Sequence, residues 1–234
     1  QGKGGNLVKE GGFFQHVAWA YDLIYDAGAL TDEDHANMAA TFRLYQKIID
    51  QHISEAVSGN WQVAELCGAL YGALAIQDMV TANRFIEGPG GFYEQASHGV
   101  MADGWWYECS IGYNAWVSSE FTQIALAMQP WGVDYVDAAF PASYSVEYNI
   151  FSQDVEQRKK KIYGKPFQKW GPVYRPYIKI KDMWDALPKF IDYQGMMFAN
   201  NDSTENKFTS DAYEIAYFVY RDPMYASLIK HIGK

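Results

Sequence analysis

Residues Asn60 to Ala82, with the sequence NWQVAELCGALYGALAIQDMVTA, carry the clearest structural signal in the chain. The residues Ser58-Gly59 interrupt the pattern just before this stretch. Apolar side chains within the stretch recur three or four residues apart, at Val63, Leu66, Cys67, Leu70, Tyr71 and Leu74. This spacing matches the helical repeat, so the stretch predicts a helix with one apolar stripe against a core.

Helical patterns continue on both sides of this stretch. Residues 1–12 are rich in glycine and predict a flexible N-terminal loop, followed by a helix from Phe13 to Ala27. Thr31 is expected to cap the next helix, because three acidic residues follow it where the helix dipole favours negative charge. Strand signals are weak, and the best covers Tyr177 to Ile180. Further helices are expected near 92–101, 110–128, 181–190, 210–220 and 223–231.

The fold class that follows is all-α. Paired helices joined by short loops favour an (α/α) toroid of helical hairpins, either complete or incomplete. We therefore treat residues 1–234 as a single toroid-type domain, either whole or a fragment of a larger one. A four-helix bundle is the structural alternative. A solenoid is not supported, because no fixed repeat period is visible.

Composition and charge indicate which classes of ligand the chain is expected to bind. Aromatic residues make up 17% of the 234 residues, which suits either a large aromatic core or a cleft where sugar rings stack. Residues 1–150 contain 5 Lys and Arg against 18 Asp and Glu, whereas the remainder contains 14 against 10. Nine basic residues lie between Arg158 and Lys181, either as an exposed loop or as a surface for an anionic polymer. No nucleic-acid motif accompanies them, and no apolar run is long enough for a membrane span.

The cysteines and the first residues bear on the cellular compartment. Cys67 lies among apolar residues and is expected to be a buried thiol, although one disulfide with Cys109 is possible. The chain starts at Gln1 rather than Met. We interpret this as a processed or internally cut start, so the missing signal peptide does not argue against export.

Two motifs carry a family resemblance. One is Ser58-Gly59-Asn60-Trp61-Gln62 at the start of the clearest helix, and the other runs from Asp103 to Trp116 as DGWWYECSIGYNAW. Together they resemble the heparinase II/III-like and alginate-lyase-like polysaccharide lyases with an α/α toroid. In that family an Asn-containing turn starts one helix. An Asp-Gly turn, a Glu-x-Ser-x-x-Tyr segment and an aromatic-rich helix follow it. The late segment Gly195 to Asp202, with the helix after it, resembles the last toroid helices.

The resemblance implies an enzyme that cleaves an anionic, uronic-acid-containing polysaccharide by β-elimination without a cofactor or metal. It also implies a secreted or periplasmic protein, and a β-sandwich domain elsewhere in the full-length protein. Neither nucleic acid nor membrane is an expected partner. The family often has His beside the Asn, whereas this chain has Trp61. The identity of the catalytic base therefore stays open.

Three residues are candidates for catalysis. Tyr113 is the proposed general acid, with a place in the aromatic core as the alternative. Asn60 would face the uronate carboxylate, where an amide donor stabilises the enolate-like intermediate as an oxyanion hole does; the alternative is a helix N-cap. His98 would assist in contacting the substrate, although a lone His is more often structural.

Further residues are candidates for substrate binding. Trp61 would provide a stacking surface, and Gln62 a second amide donor unless it is a surface residue. Arg84 would pair with a substrate carboxylate or, alternatively, with Glu87. Glu108 is expected to hold neighbouring groups in place. The remaining candidates are tryptophans expected along the cleft, of which at least one belongs to the core: Trp105, Trp106 and Trp116.

Two other functions stay open. An inverting glycoside hydrolase would need two carboxylates with room for a water molecule between them, and acidic candidates exist at Asp103, Glu108, Asp202 and Glu205. A carbohydrate-binding protein without catalysis is the second alternative. The sequence contains no zinc-ligand spacing, phosphate-binding glycine loop or serine-nucleophile motif.

Overall fold

The structure is a computed structural model that describes residues 4–53, 58–142, 177–208 and 211–232. It is mostly helical, which confirms the all-α prediction. Its only sheet within the described residues is an antiparallel pair, β1 (Phe140–Pro141) and β2 (Tyr177–Ile178). In chain order the helices are α1 (Gly4–Ile24), α2 (Asp32–His52), α3 (Asn60–Ala75), α4 (Met79–Glu87), α5 (Phe92–Gly99), α6 (Ile111–Met128), α7 (Ile180–Ala186), α8 (Asp211–Tyr220) and α9 (Pro223–Ile232).

The described residues form two units. The first extends to Gln95 and the second begins at Ala96, so the boundary falls within α5. The toroid arrangement of the helix pairs and the single toroid-type domain both stay predictions. Most of the basic segment from Arg158 to Lys181 lies outside the described residues. Among the described helices, none is both long enough and apolar enough to cross a membrane.

Close packing of α1 on α3 organises the first unit. A Cβ atom at Gly11 would lie 2.3 Å from the carbonyl oxygen of Ala64, and one at Gly68 would lie 2.6 Å from the carbonyl oxygen of Gly11. Glycine is therefore required where the two backbones meet. The predicted loop over residues 1–12 is wrong from Gly4 onward, because α1 begins there and Gly11 serves helix packing rather than a loop.

The helix predicted from Asn60 to Ala82 is confirmed in its first part, with two differences. Val63, Leu66 and Leu70 are fully buried as predicted, but α3 is buried on nearly all sides rather than along one stripe. The helix also ends at Ala75 instead of Ala82. Gln77 adopts a left-handed φ of 58°, and Asp78 accepts a hydrogen bond from the backbone N–H of Thr81 to cap α4. One long predicted helix is thus two.

The start of α2 follows the prediction. The Thr31 hydroxyl accepts a hydrogen bond from the Asp34 backbone N–H at 3.2 Å. The Asp34 carboxylate accepts one in return from the Thr31 N–H at 2.8 Å. This reciprocal pair is a capping box, which satisfies two otherwise unpaired backbone donors.

The second unit is built around buried aromatic side chains. Trp184 of α7 is fully buried, and its indole N–H donates to the Thr122 hydroxyl at 2.9 Å. The hydroxyl of Tyr213 in α8 donates to the Trp184 carbonyl oxygen at 3.0 Å. Part of the aromatic content therefore forms a core, as one of the two interpretations of the composition predicts.

Candidate functional site

The Asp103-Gly104 turn precedes the segment Glu108 to Tyr113 in the second unit and forms as predicted. Gly104 has a φ of 89°, and a Cβ atom there would lie 2.2 Å from the carbonyl oxygen of Asp182 in α7. The Asp103 carboxylate accepts a hydrogen bond from the Trp105 backbone N–H at 3.2 Å. Only glycine fits both the left-handed backbone and this close approach.

The segment Glu108 to Tyr113 is held by a distant turn. Ser203 lies 2.8 Å from Ser110 through their hydroxyl oxygens, and the Ser203 oxygen also accepts from the Gly112 backbone N–H at 3.2 Å. The side chain of Asn200 accepts from the Ile111 N–H at 3.4 Å and donates to the Cys109 carbonyl oxygen. The turn therefore satisfies the first backbone donors of α6, which have no partner within the helix.

A fifth hydrogen bond holds the segment Glu108 to Tyr113, and the backbone of this segment is strained at Cys109. The amide of Asn201 donates to the Glu108 carbonyl oxygen at 2.7 Å. Cys109 has a φ of 52°, a left-handed conformation that costs such a residue about 1–2 kcal/mol, whereas Asn201, with a φ of 47°, is of a type that adopts it more readily. Strain that the surroundings hold in place is concentrated at functional sites. The motif Glu108 to Tyr113 is therefore the best candidate site in this unit.

Tyr113 projects from the first turn of α6 and is half-buried. It is not enclosed in the core, unlike the neighbouring Asn114, which is fully buried. The side chain of Asn114 accepts from the Trp106 backbone N–H at 2.7 Å and donates to the Met183 carbonyl oxygen at 3.2 Å. Asn114 thus anchors the motif to α7 while Tyr113 keeps partial access to solvent.

His98 lies in the last turn of α5 and is half-buried. Burial lowers its pKa to about 4, so the imidazole is neutral at pH 7. The carbonyl oxygen of the next residue, Gly99, accepts a hydrogen bond from the Tyr107 backbone N–H at 2.8 Å. This bond ties the end of α5 to the residue just before Glu108. A neutral imidazole there is a hydrogen-bond donor and acceptor without a positive charge.

Glu108 is engaged with its neighbours, in keeping with the predicted positioning role. Its carboxylate accepts the Trp106 indole N–H at 2.8 Å. Burial raises the pKa of Glu108, the hydrogen bond from Trp106 opposes that effect, and the negative charge of Asp202 adds to it; the net direction is upward.

The expectation that at least one of the three tryptophans belongs to the core is confirmed, and two of them are too buried to line a cleft. Trp106 is fully buried, and Trp105, 7% exposed, packs edge-on against Phe190 with the ring centres 4.8 Å apart. A Cβ atom on Gly99 would lie 2.0 Å from the Trp106 ring, so the indole fills the space that this glycine leaves. Trp116 is half-buried. The indoles of Trp105 and Trp106 therefore support the segment Glu108 to Tyr113 from within the core.

The Asn60 motif lies in the first unit, and two expectations about it need correction. Gly59, not Asn60, occupies the N-cap position, and Asn60 is the first residue of α3. Gln62 is buried rather than on the surface, and its amide donates to the Gly90 carbonyl oxygen at 3.1 Å. Trp61 is 59% exposed, as a stacking surface requires. Asn60 is half-buried. Because Gly59 is the N-cap, the cap role that was the alternative for Asn60 does not apply.

Arg84 pairs with a different residue from the one expected. Its Nε atom lies 2.7 Å from a carboxylate oxygen of Asp50 on α2, and a terminal nitrogen donates to the Pro89 carbonyl oxygen at 3.0 Å. The expected alternative partner was Glu87. The tertiary contact takes precedence because α2 brings Asp50 within reach.

Neither cysteine forms a disulfide. Cys67 is fully buried, as predicted, and Cys109 is half-buried in the strained part of the motif. Burial raises the pKa of the Cys109 thiol, and the negative charge of Asp103 adds to the effect. Cys109 is therefore an unreactive thiol near neutral pH.

A histidine–carboxylate pair in the first unit was not predicted from the sequence. The Nδ1 atom of His52 lies 2.6 Å from a carboxylate oxygen of Glu65. The Glu65 side chain is 2% exposed and that of His52 is 45% exposed. Burial raises the pKa of Glu65, and the His52 contact opposes this effect. The available signal was an acidic residue between Ala64 and Leu66 in the most apolar helix, since a buried carboxylate needs a partner.

Replacing His52 by Ala is expected to destabilise the protein by about 2 kcal/mol at pH 8, because the buried Glu65 carboxylate loses its partner. The loss should shrink toward pH 4. The folded-state pKa of Glu65 is raised, so protonation stabilises the folded state, and that contribution disappears as pH rises through this pKa. Urea unfolding at several pH values measures the effect. The double variant His52→Ala/Glu65→Gln should recover part of the loss at pH 8; no recovery would contradict the pairing.

The ten predicted site residues divide between the units. Four belong to the first unit, Asn60, Trp61, Gln62 and Arg84, and six to the second, His98, Trp105, Trp106, Glu108, Tyr113 and Trp116. Comparison with known proteins finds no family pattern and no curated protein that matches this chain. The functional assignment consequently depends on the chemistry of the residues themselves.

Proposed function

We propose that the chain is a polysaccharide lyase that cleaves a uronic-acid-containing polymer by β-elimination. The observation that carries the proposal is the motif Glu108 to Tyr113. Five hydrogen bonds from the turn Asn200 to Ser203 hold it in a strained conformation. Such preorganisation suits a site that must position a reacting group within a fraction of an ångström.

The reaction requires two proton transfers. A base removes the C5 proton beside the uronate carboxylate, and those electrons form the C4–C5 double bond as the bond from C4 to O4 breaks. Tyr113 is the proposed acid that protonates the departing O4 oxygen. A tyrosine hydroxyl suits this role because its ordinary pKa, about 10, lies well below that of a sugar alkoxide.

Neutral donors to the carboxylate complete the proposal. Negative charge accumulates on the carboxylate as C5 loses its proton, and hydrogen bonds aimed at it stabilise that charge. Asn60 is proposed as the amide donor from the sequence motif alone. The lowered pKa of His98 makes its imidazole a poor base at neutral pH and a suitable second donor. Substrate rings would stack on the exposed indole of Trp61.

A panel of anionic polysaccharides tests the function. Alginate, polygalacturonate, glucuronan, ulvan and glycosaminoglycans are incubated with the protein, and absorbance in the ultraviolet enoate band is followed. Elimination creates that chromophore, so at least one polymer should give a rising signal that the Tyr113→Phe variant lacks. A rise in reducing ends without new absorbance would instead indicate hydrolysis.

One observation favours hydrolysis as the second candidate. Burial raises the pKa of Glu108, and the charge of Asp202 adds to this effect. An inverting glycosidase pairs an acid of raised pKa with a second carboxylate. The indole of Trp106 already occupies one Glu108 oxygen at 2.8 Å. That engagement suits a positioning role better than proton donation, so elimination is the preferred function.

A further inference from the structure

A cavity of about 330 Å³ opens between α2 and α4 in the first unit. Arg43, Lys47 and Asp50 line it from α2, spaced four and three residues apart and therefore on one face of that helix. Val80 and Arg84 line it from α4, one turn apart. Its volume falls at the lower end of the range for small-ligand sites, which starts at about 300 Å³.

The charge of this cavity contrasts with that of the surrounding sequence. Residues 1–150 contain 5 basic residues against 18 acidic ones, and three of the five line the cavity: Arg43, Lys47 and Arg84. Among its described lining residues the carboxylate is that of Asp50, and Arg84 already binds it at 2.7 Å. The cationic groups of Arg43 and Lys47 therefore give the cavity an excess of positive charge.

Arg84 is preorganised to contribute. Asp50 holds its Nε atom and the Pro89 carbonyl oxygen holds a terminal nitrogen at 3.0 Å. A guanidinium fixed in this way loses little conformational entropy when an anion binds, and its planar fork matches the geometry of a carboxylate or sulfate.

Apolar surface adjoins the charged groups. Val80, which is 84% exposed, supplies this apolar surface, whereas Phe85 lines the cavity from α4 but is only 1% exposed. A ligand that fits this combination has an anionic oxygen group attached to a ring with an apolar face. Acidic sugars have both features, because the C–H face of a pyranose ring is apolar and its carboxylate or sulfate is charged.

We propose that this cavity, here named the Arg43 site, binds the carboxylate or sulfate of an acidic sugar unit in a polysaccharide. The inference rests on the proposed function for the choice of a polymer as the source of that sugar. The site itself is defined by the cavity and its charges. Binding there holds a polymer chain on the protein independently of the reaction at Tyr113.

The test measures binding by calorimetry at low salt, in the full chain with Tyr113→Phe so that nothing is cleaved. The probes are oligogalacturonate for carboxylate, dextran sulfate for sulfate and a neutral cello-oligosaccharide. Arg43→Gln/Lys47→Gln should weaken binding of at least one anionic probe about tenfold or more, since each lost charged hydrogen bond is typically worth that much. The neutral probe should not bind at this site, so its affinity should not change.

A matched control removes the same charge elsewhere. Lys9 and Lys189 are exposed and lie outside the cavity lining, so Lys9→Gln/Lys189→Gln should change affinity less than about twofold through the general field alone. Equal losses in the two double variants, or unchanged binding in Arg43→Gln/Lys47→Gln, would overturn the proposal. So would a Tyr113→Phe protein that binds neither anionic probe. Thermal unfolding checks that each variant is folded.

The two proposals fail separately. If the unaltered protein eliminates a polymer but the Arg43→Gln/Lys47→Gln change leaves probe binding intact, the Arg43 site is wrong and the lyase stands. If no polymer is eliminated but that change abolishes probe binding, the site stands and the lyase is wrong.

Discussion

Turnover of the Tyr113→Phe variant is expected to fall about a hundred- to ten-thousandfold, the range that a general acid contributes. The hydroxyl alone is removed, and Tyr113 is half-buried at the start of α6. Packing is therefore preserved, and the affinity for substrate and the unfolding free energy should remain nearly unchanged. Steady-state absorbance kinetics on a polymer that the protein cleaves, together with urea unfolding, measure the two quantities.

The control for this variant is another half-buried tyrosine of the same unit. Tyr217 lies in α8, so Tyr217→Phe makes the same chemical change outside the segment Glu108 to Tyr113 and should leave turnover intact. Equal turnover of the two variants would show that Tyr113 is not the acid.

Asn60→Asp is expected to lower turnover at least about a hundredfold, because it places a negative charge where a donor must stabilise the uronate carboxylate. The structure also predicts how Asn60→Asp changes the stability of the protein. Since Asn60 is the first residue of α3 and Gly59 is its N-cap, an acidic side chain there complements the helix dipole. The free energy of unfolding should hold or rise by a few tenths of a kcal/mol, opposite in sign to the effect on activity.

Asn37→Asp is the matched control for that substitution. Asn37 is exposed on α2, and adding the same charge there should leave turnover unchanged. An active Asn60→Asp protein would show that Asn60 does not face the carboxylate. His98 would then be the next donor to replace.

Local patterns predicted the parts of the fold that depend on local interactions. The reciprocal hydrogen bonds of Thr31 and Asp34 join residues three apart, and the Asp103 turn involves a residue two positions on. The glycines near the N-terminus were misinterpreted because Gly11 meets Ala64 only in the folded protein. A glycine run has the same composition in a loop and at a helix crossing.

The candidate site was predictable only in its chemical components. The positions Glu108 to Tyr113 were identified from the motif, but their anchor lies about ninety residues away, at Asn200 to Ser203. The burial of Trp106 also depends on a tertiary feature, the space left by Gly99. Contacts between residues so far apart in the sequence produce no periodic pattern. The contacts that hold a site in place are therefore visible only in the structure.

The most direct test of the central proposal is the mass of the products formed in water enriched with oxygen-18. Elimination breaks the bond to O4 without adding water. The new non-reducing end should therefore be lighter than a saturated sugar by one water molecule, and no heavy oxygen should be incorporated during cleavage. Saturated products that carry one heavy oxygen per cleavage, after correction for exchange at the reducing end, would identify a hydrolase and contradict the lyase proposal.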